Sequence, residues 1–506
     1  MNQDKALKLS IIDGSLSAIM VSLCGGIFLI GFVVKVLQAD TSKIGILASL
    51  PLIANLVQLF GSYIIEKTGK SKALCVFSAA ASRILWILII LLPLKLLPLA
   101  SDLHIWIVIG VIAFSSIFAS LAGVGWMSWM SDLVPEKIRG AYFGRRNMIT
   151  TFFGMLFIVS GGRFISIWEA RFGEESPYGF IILFAIGLSA GLASILFLRK
   201  IPAGRPAVKT GEKNDFSLSK FLSPFKNSNF RKIMFFAAFW LFAVNFAAPF
   251  YGVFMINNLN LEFSLITVFG TAATIATIIM MNIWGPINDK LGSRPVIIVS
   301  TLMLSLIPIL WIISTPDNYY IPVMAAHIAS GAFMAGAGLS QFNILLKLSP
   351  KEGKSVFLAL FAATTGFAGA VAPVAGGAVF NYLKPYTLNL SGLSISGFQL
   401  LFLFSAAMIA LSILLALRIK EEGSASPGAV VIQLKNDLNP QAGIAGASDI
   451  IIMGVSGSGK TLKYFDQKSE EIAGKSEKAI RKVADKAESK IKKPVEKLKK
   501  FLKEED

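Results

Sequence analysis

The chain has 506 residues, of which 54% are hydrophobic and only 15% are charged, and its mean hydropathy is +0.67. Soluble proteins carry about 25% charged residues, so a soluble fold of this size would lack polar surface. The net charge of +18 lies in alternate short loops and in the C-terminal region, which argues against nucleic-acid binding. These features predict a polytopic membrane protein.

Apolar runs of about 20 residues, each long enough to cross a bilayer core of roughly 30 Å, recur along the chain. They predict an all-α fold with twelve transmembrane helices at approximately 11–37, 43–65, 73–94, 104–130, 146–168, 178–199, 232–257, 263–287, 295–314, 319–347, 355–382 and 395–418. Strands are excluded because these runs are too long for a membrane barrel. We expect the first run to be a retained span rather than a signal peptide.

Loop charge orients the predicted bundle, because cytoplasmic loops carry an excess of Lys and Arg. One side collects Lys67, Lys70, Lys72, Lys137, Arg139, Arg145, Arg146, the segment 199–232, Lys290, Arg294, Lys347, Lys351 and Lys354. The other side holds little beyond Lys43, Lys95, Arg171 and Lys384. Both termini are therefore predicted to face the cytoplasm, and we expect the membrane to be a bacterial inner membrane.

A polar, turn-forming segment that separates two apolar runs, Gly285 to Arg294, resembles a segment 223 residues earlier, Ser62 to Ser71. A second match relates Leu133–Tyr142 to Leu348–Phe357 at an offset of 215. Two matches in the same order indicate a duplicated membrane domain. We predict two six-helix bundles at 1–200 and 231–420 and a cytoplasmic interdomain loop at 201–230. Residues 421–506 are predicted to be a cytoplasmic linker and tail, with the linker at 421–448 because this stretch is rich in Gly, Ser, Ala and Pro.

The segment Gly285–Arg294 resembles the signature G-x-x-x-D-[RK]-x-G-[RK]-[RK] of the major facilitator superfamily, and the earlier copy departs from it at Ser62, Glu66 and Ser71. The resemblance implies a secondary transporter that moves a small solute by alternating access of its two halves. It implies a monomer in the lipid bilayer and no enzymatic activity or cofactor. In that family the signature loop braces the two halves, although the same residues are also ordinary turn formers with positive charges. The expected gating residues are Ser62, Glu66, Lys67, Gly69, Gly285, Asp289, Lys290, Gly292 and Arg294.

Polar residues inside the predicted spans are the candidates for contact with the solute, because burying them in lipid is costly. The substrate-binding candidates are Arg163, Asn245, His327, Trp126, Ser128, Gln341 and Asn343. Arg83 is expected to bond within its own half, in a span that the resemblance places outside the central cavity. The acidic residue Asp13 is expected near a cytoplasmic span end. An interior with positive and no negative charge favours an anionic or neutral polar solute, and replacing Arg163 by Gln is expected to abolish transport.

The tail contains a segment that satisfies the phosphate-binding pattern G-x-x-x-x-G-K-[ST] at Gly454, Gly459, Lys460 and Thr461. We do not expect nucleotide binding there, because the motif needs a parallel sheet beneath it and no second strand is predicted. The remaining residues 462–502 predict a basic amphipathic helix that contacts anionic inner-leaflet lipid or is simply solvated. The alternatives to a transporter are a transporter-like sensor or a nucleotide-regulated transporter. Cys24 and Cys75 are expected to be buried apolar residues, and no metal site is predicted.

Overall fold

The structure is a computed structural model that describes residues 3–94, 101–135, 138–203, 225, 227–348, 354–390, 393–395 and 397–438. Twelve segments of this part are long and apolar enough to cross a membrane, which confirms the predicted number. Spans one to twelve are Lys5–Val36, Thr41–Thr68, Ser71–Leu91, Leu103–Leu133, Tyr142–Phe172, Tyr178–Lys200, Ser228–Asn257, Phe263–Leu291, Ser293–Ile312, Tyr320–Leu348, Leu360–Leu383 and Gly397–Ala416.

Spans one to three consist of shorter helical pieces. These pieces are the α-helices Gln3–Cys24 and Gly26–Gly31 with a π-helical turn at Phe32–Val36, then Thr41–Ala54 and Gln58–Thr68 around a 3-10 turn at Asn55–Val57, then Ser71–Ile84 and Trp86–Leu91 with a 3-10 turn at Leu92–Leu94. The helices of spans four, five and eleven extend beyond the apolar segments, to Ser101–Leu133, Arg139–Phe172 and Lys354–Leu383. Local sequence explains several boundaries: the Asp40 carboxylate caps span two, and the Asn227 side chain caps span seven.

In the described part of the chain, a hairpin and a short helix lie in connections outside the spans. Leu388–Leu390 and Leu393–Ile395 form a short antiparallel hairpin in the connection between spans eleven and twelve. A helix at Pro427–Asp437 follows span twelve, in a stretch that the composition predicted to be a linker. Val430 of this helix is fully buried in a cluster with Trp284 and Val296 of spans eight and nine. This contact adds a short helix to the second half that propensity alone does not predict.

The two six-helix halves meet along two pairs of spans, two with eleven and five with eight. Gly45 packs on the carbonyl of Pro373, and Asn381 Nδ2 donates to Ser42 Oγ at 2.8 Å. On the other pair, the backbone N–H of Ser264 donates to Ser166 Oγ at 2.9 Å. All of these contacts lie at one end of the bundle, which we call the closed end.

The opposite end, called here the positive end, carries the turns after spans two and eight and most of the basic loop residues. Among the described residues, no hydrogen bond or ion pair joins the two halves there. Within each half, hydrogen bonds at this end connect the third span to the end of the sixth span. The hydrogen bonds that join the halves in the described part of the chain therefore lie at the closed end.

Candidate functional site

The two signature segments lie at the positive end, but most of each segment is helical. Span eight continues through Gly285 and Pro286 to Leu291, so the turn is made by Gly292 alone, at φ 93°. In the first copy Ser62 lies inside span two, and Gly69 makes the turn at φ 65°. The predicted spans ended at residues 65 and 287, so the two helices run three and four residues further than predicted. Backbone groups in lipid stay bonded within their helix, and only a positive φ calls for glycine.

A basic side chain ties the start of the third span of each half to the end of its sixth span. In the second half Arg294 Nη2 donates to the carbonyl of Leu417 at 2.9 Å. In the first half Lys72 Nζ donates to the carbonyls of Arg199 at 3.1 Å and Ile201 at 2.6 Å. Lys72 thus supplies the basic side chain that its signature segment lacks at Ser71. Each of these bonds joins two residues of the same half.

The other predicted gating residues face outward. Glu66, Lys67 and Asp289 are exposed, and the exposed Lys290 donates through Nζ to Gln433 Oε1 at 3.5 Å. None of the described bonds of these side chains crosses between the halves. Bracing of one half against the other stays a prediction for a conformation in which the positive end is closed.

Three charged side chains come together inside the first half. The helix of span one begins at Gln3, eight residues earlier than predicted, so Asp13 lies about 15 Å inside it at 1.5 Å per residue and is 4% exposed. Asp13 therefore lies deeper in the helix than the predicted span boundary at residue 11 implies. Arg83 of span three donates through Nη2 to Ser17 Oγ at 2.8 Å, and Ser17 contacts Ser194 at 3.2 Å. Arg83 thus bonds within its own half, to a hydroxyl rather than a carbonyl.

Arg146, which the sequence analysis counted as a loop charge, lies in span five beside this group. Its Nε donates to the carbonyl of Ser10 at 3.3 Å, and its guanidinium lies 4.2 Å from the ring centre of Trp126. The guanidinium groups of Arg83 and Arg146 both interact electrostatically with the Asp13 carboxylate, but neither forms an ion pair with it. Asp13 Oδ1 and Arg83 Nη1 have no hydrogen-bond partner in the described part of the chain. This arrangement, called here the charged cluster (Asp13, Arg83 and Arg146), carries an excess positive charge.

One feature of the sequence indicates the span-one part of the charged cluster. Ser10, Asp13 and Ser17 recur at spacings of three and four, which puts them on one face of a helix that starts before the apolar run. Arg146 likewise lies in a helix that begins before the apolar run of span five. Hydropathy alone begins a span where the apolar run begins, so it misses polar residues on the preceding helical turns.

Trp126 and Gln341 occupy equivalent positions in spans four and ten, 215 residues apart. Trp126 Nε1 and Gln341 Nε2 are both buried donors without a hydrogen-bond partner among the described residues. Buried polar groups are nearly always bonded, so both donors are exceptions, as are nine other buried side-chain atoms of the described residues, among them Trp240 Nε1. Ser128 and Asn343 lie half-buried near them on the same two helices.

Asn245 and His327 lie elsewhere in the second half. Asn245 Nδ2 donates to the carbonyl of Leu241 at 2.9 Å, on the side of span seven that faces Gly369. His327 Nδ1 lies 2.9 Å from the carbonyl of Val323, and its ring packs between Phe269 and Trp311 at centroid distances of 5.6 and 5.5 Å. The structure does not bring these two side chains together with Trp126.

Arg163 lies on an exposed stripe of span five. It shares this face with Phe152, Leu156 and Ile167, which are 61, 48 and 54% exposed. Such a stripe is typical of a face toward lipid, where a long cationic side chain extends its charged end to the interface. Gly162, one residue earlier, points the other way and packs on Phe263 of span eight.

Glu421, just beyond span twelve, holds three segments of the second half together. Its Oε2 accepts the backbone N–H of Arg294 at 2.6 Å, and its Oε1 accepts Lys347 Nζ at 2.8 Å. Burial by itself raises the pKa of this carboxyl, but the hydrogen bonds from the N–H groups of Arg294 and Ser293 and from Lys347 outweigh it, so the pKa lies below its ordinary value. Glu421 was not predicted as a functional residue, because it lies in a stretch predicted to be a linker.

The predicted tail sites fall outside the described residues, including the phosphate-binding pattern at Gly454–Thr461 and the basic amphipathic helix. Within the described residues there is no group of three or more His, Cys, Asp and Glu side chains that could hold a metal ion. Cys24 and Cys75 are both buried and free.

Comparison with known proteins identifies the fold. The sequence matches the Major Facilitator Superfamily over residues 14–273 and 242–432, and no curated protein matches the chain. The structure is similar to a mutant of the nucleoside transporter NupG (TM-score 0.65, 14% identity, 82% of this chain and 100% of that one). It is also similar to a D-xylose-proton symporter (0.63, 15%, 83% and 98%) and to a bacterial metal transporter (0.55, 14%, 82% and 98%). The chain therefore belongs to the Major Facilitator Superfamily of membrane transporters.

Proposed function

We propose that this protein moves a small anionic or neutral polar solute across the membrane by alternating access of its two halves. The observation that carries the choice of solute is the charge imbalance of the charged cluster. The single carboxylate of Asp13 lies near the two guanidinium groups without an ion pair to either, and Arg83 Nη1 has no hydrogen-bond partner in the described part of the chain. A buried excess charge is costly unless a counter-charge or strong hydrogen-bond acceptors approach it, and an anion or a polyhydroxyl compound supplies them.

The solute is proposed to enter from the positive end, where no hydrogen bond or ion pair between described residues joins the halves. Arg146 and Trp126 are half-buried on the first half, and Gln341 is half-buried on the second. A solute that accepts hydrogen bonds from Trp126 Nε1 and Gln341 Nε2 would satisfy both buried donors. It would also link the halves through their equivalent spans, which gives binding a way to favour closure of the positive end.

The structural neighbours support a transporter without selecting its cargo. They act on nucleosides, D-xylose and a metal, as their names state, and at identities of 14 and 15% they share the fold alone. The choice of an anionic or neutral polar solute thus rests on the side chains of this chain.

The first experiment is a thermal-shift screen of the purified protein against phosphates, organic acids, sugars and amino acids, followed by uptake of the hit into proteoliposomes with and without a pH gradient. A stabilising anion or polar neutral compound that is also taken up is the expected result. A hit restricted to organic cations would contradict the proposal. Saturable binding without any flux would instead favour the sensor alternative.

Matched substitutions then locate the site. Arg146→Gln is expected to lower the uptake efficiency of the hit by about thirtyfold, because a hydrogen bond to a charged group contributes about 2 kcal/mol. Arg163→Gln makes the same chemical change on the exposed stripe, and we expect nearly unchanged uptake. Loss of uptake in Arg163→Gln alone would restore the site predicted from the sequence and remove the charged cluster from solute binding.

A further inference from the structure

A groove of about 870 Å³ opens at the positive end of the first half, between spans three and six. Its apolar wall includes Phe77 and Ile84, which are 67 and 53% exposed, together with Val76 and Ile195. Large apolar side chains with this exposure are normal toward acyl chains. The groove therefore offers a wall suited to a lipid tail.

The mouth of the same groove is basic. Lys70, Lys72 and Arg199 line it, against the single acidic side chain Asp132. Span three begins at Ser71 and span six ends at Lys200, so these cations lie where the spans reach the membrane boundary. Basic pockets between helices at this level match the charge of anionic headgroups.

The groove also contains the start of the span-three helix, Ser71–Ile84. Lys70 is the residue before this helix, and no side chain caps its first N–H groups. Uncapped N–H groups at a helix start carry a partial positive charge and favour an anion. The helix start thus adds donors to the positive charge of the mouth.

The second half shows what occupies the equivalent place there. The first N–H groups of span nine are capped by the carboxylate of Glu421, at 2.6 Å from the backbone nitrogen of Arg294. Span nine is the counterpart of span three, and Arg294 makes the carbonyl bond that Lys72 makes in the first half. In the second half, the contact between the start of span nine and the segment after span twelve therefore includes an anionic group.

Alignment of the two halves shows that the first half has no carboxylate at the position equivalent to Glu421. Ile201 and Ile419 lie one and three residues beyond the sixth span of each half and are both buried, at 0 and 1% exposure. Counting two residues on from each, Ala203 stands where the second half has Glu421. Ala203 lines the groove, together with Gly69 and Ser71. The first half thus keeps the backbone donors at the helix start and has a methyl group in place of the Glu421 carboxylate, while Asp132, 215 residues before Lys347, puts an acid where the second half has that lysine.

We propose that this groove binds an anionic phospholipid, whose phosphate takes the place that the Glu421 carboxylate takes in the second half. The phosphate lies against the start of span three, between Lys70 and Arg199, and an acyl chain lies along the wall formed by Phe77 and Ile84. A free anion would match the mouth but would leave the apolar wall without a partner. The chain's own lysine-rich C-terminal sequence has the wrong charge for this mouth.

The test uses the full-length protein and native mass spectrometry with dioleoyl phosphatidylglycerol, dioleoyl phosphatidylcholine and inorganic phosphate as probes. The wild type is expected to retain phosphatidylglycerol in preference to phosphatidylcholine by about tenfold, the ratio that 1.4 kcal/mol gives. Ala203→Glu supplies the missing carboxylate from the chain itself, so it is expected to abolish this preference. Ala203→Gln, which has nearly the same size and no charge, is expected to keep it.

Three results would overturn the proposal. Equal retention of the two lipids by the wild type would show that the groove does not select an anion. An equal loss in the Glu and Gln variants would show that bulk rather than charge displaces the lipid. Complete displacement of phosphatidylglycerol by millimolar inorganic phosphate would show a free-anion site instead. Melting temperatures of both variants, measured in the same detergent, show whether the proteins compared are folded.

Discussion

At the scale of single residues, Glu421 shows how one carboxylate stabilises a helix bundle. It accepts the first N–H groups of span nine and the Lys347 ammonium at the end of span ten, and its side chain is 7% exposed. Hydrogen bonds to a charged group that is shielded from water are stronger than neutral ones. The residue therefore fixes three segments that would otherwise only pack against one another.

Replacing Glu421 by Gln is expected to lower the free energy of unfolding by about 1.5–3 kcal/mol at pH 7, the range for hydrogen bonds to charged groups. The pKa of Glu421 is lowered in the folded protein, so its contribution is present above the unfolded value of 4.5 and is lost as the pH falls below it. The melting temperatures of wild type and variant should therefore converge between pH 5 and pH 3, roughly the range of carboxylate titration.

The neighbouring Glu422 is exposed and provides the control for this prediction. Glu422→Gln should leave the melting temperature nearly unchanged at every pH, because an exposed charge contributes about 0–1 kcal/mol. A difference between wild type and Glu421→Gln that stays constant from pH 7 to pH 3 would contradict the role assigned to the Glu421 charge.

The residue scale is also where prediction from the sequence was weakest. Asp13 and Arg146 were assigned to span ends and loops, yet both lie within helices and contribute to one buried cluster. Hydropathy detects where a helix enters lipid, but it does not detect a helix that continues with polar residues facing inward. Those polar residues are satisfied by side chains from other spans, and this information is absent from any local stretch of sequence.

At the scale of elements, close approach of helices depends on individual glycines. Gly331 of span ten packs on the carbonyl of Ala273 in span eight, and its own carbonyl accepts Thr277 Oγ1 at 3.0 Å. A methyl group at this position would overlap backbone, which cannot move without separating the two helices. Gly338, two turns further along the same span, has no atom within 4 Å of the position that a Cβ would take.

Gly331→Ala is expected to destabilise the protein by about 1–3 kcal/mol, as overpacking does in tightly packed cores. Gly338→Ala is expected to be neutral or to stabilise by up to about 1 kcal/mol, because alanine has the higher helix propensity. Thermal unfolding of the two variants in one detergent measures the difference. Equal melting temperatures would contradict the contact between spans eight and ten.

The signature segments illustrate a second limit at the element scale. The spans predicted from hydropathy end at residues 65 and 287, inside these segments, whereas the helices continue to Thr68 and Leu291. In water these residues favour turns, but in a membrane protein the helix keeps its internal hydrogen bonds wherever packing allows. The turn positions at Gly69 and Gly292 were predictable, because a left-handed φ requires glycine.

At the scale of the whole molecule, the two halves are joined by contacts at the closed end. Asn381 and Ser42 provide a pair there whose polar atoms lie 2.8 Å apart, one from each half. Alternating access requires this contact to break when the closed end opens. A link that holds the pair together should therefore stop the transport cycle.

A short reducible cross-linker between cysteines introduced by Ser42→Cys and Asn381→Cys is expected to abolish uptake, and a reductant is expected to restore it. The matched control links Asn229→Cys to Lys420→Cys, since both positions lie in the second half and Asn229 Nδ2 donates to the Lys420 carbonyl at 2.7 Å. The control should retain most uptake. Full activity of the cross-linked first pair would contradict alternating access between these halves.

The sequence by itself determined the number of spans, the duplication of a six-helix unit and membership of a transporter fold. Lipid imposes these features locally, because every apolar run of sufficient length must form its own hydrogen-bonded helix. Only the tertiary structure decided how the polar side chains are placed. Asp13 lies near two arginines, and Glu421 lies at the start of span nine. Trp126 Nε1 and Gln341 Nε2 have no hydrogen-bond partner among the described residues. Such placements depend on how helices distant in sequence pack and rotate about their axes, and that depends on contacts between spans rather than on the composition of any one of them.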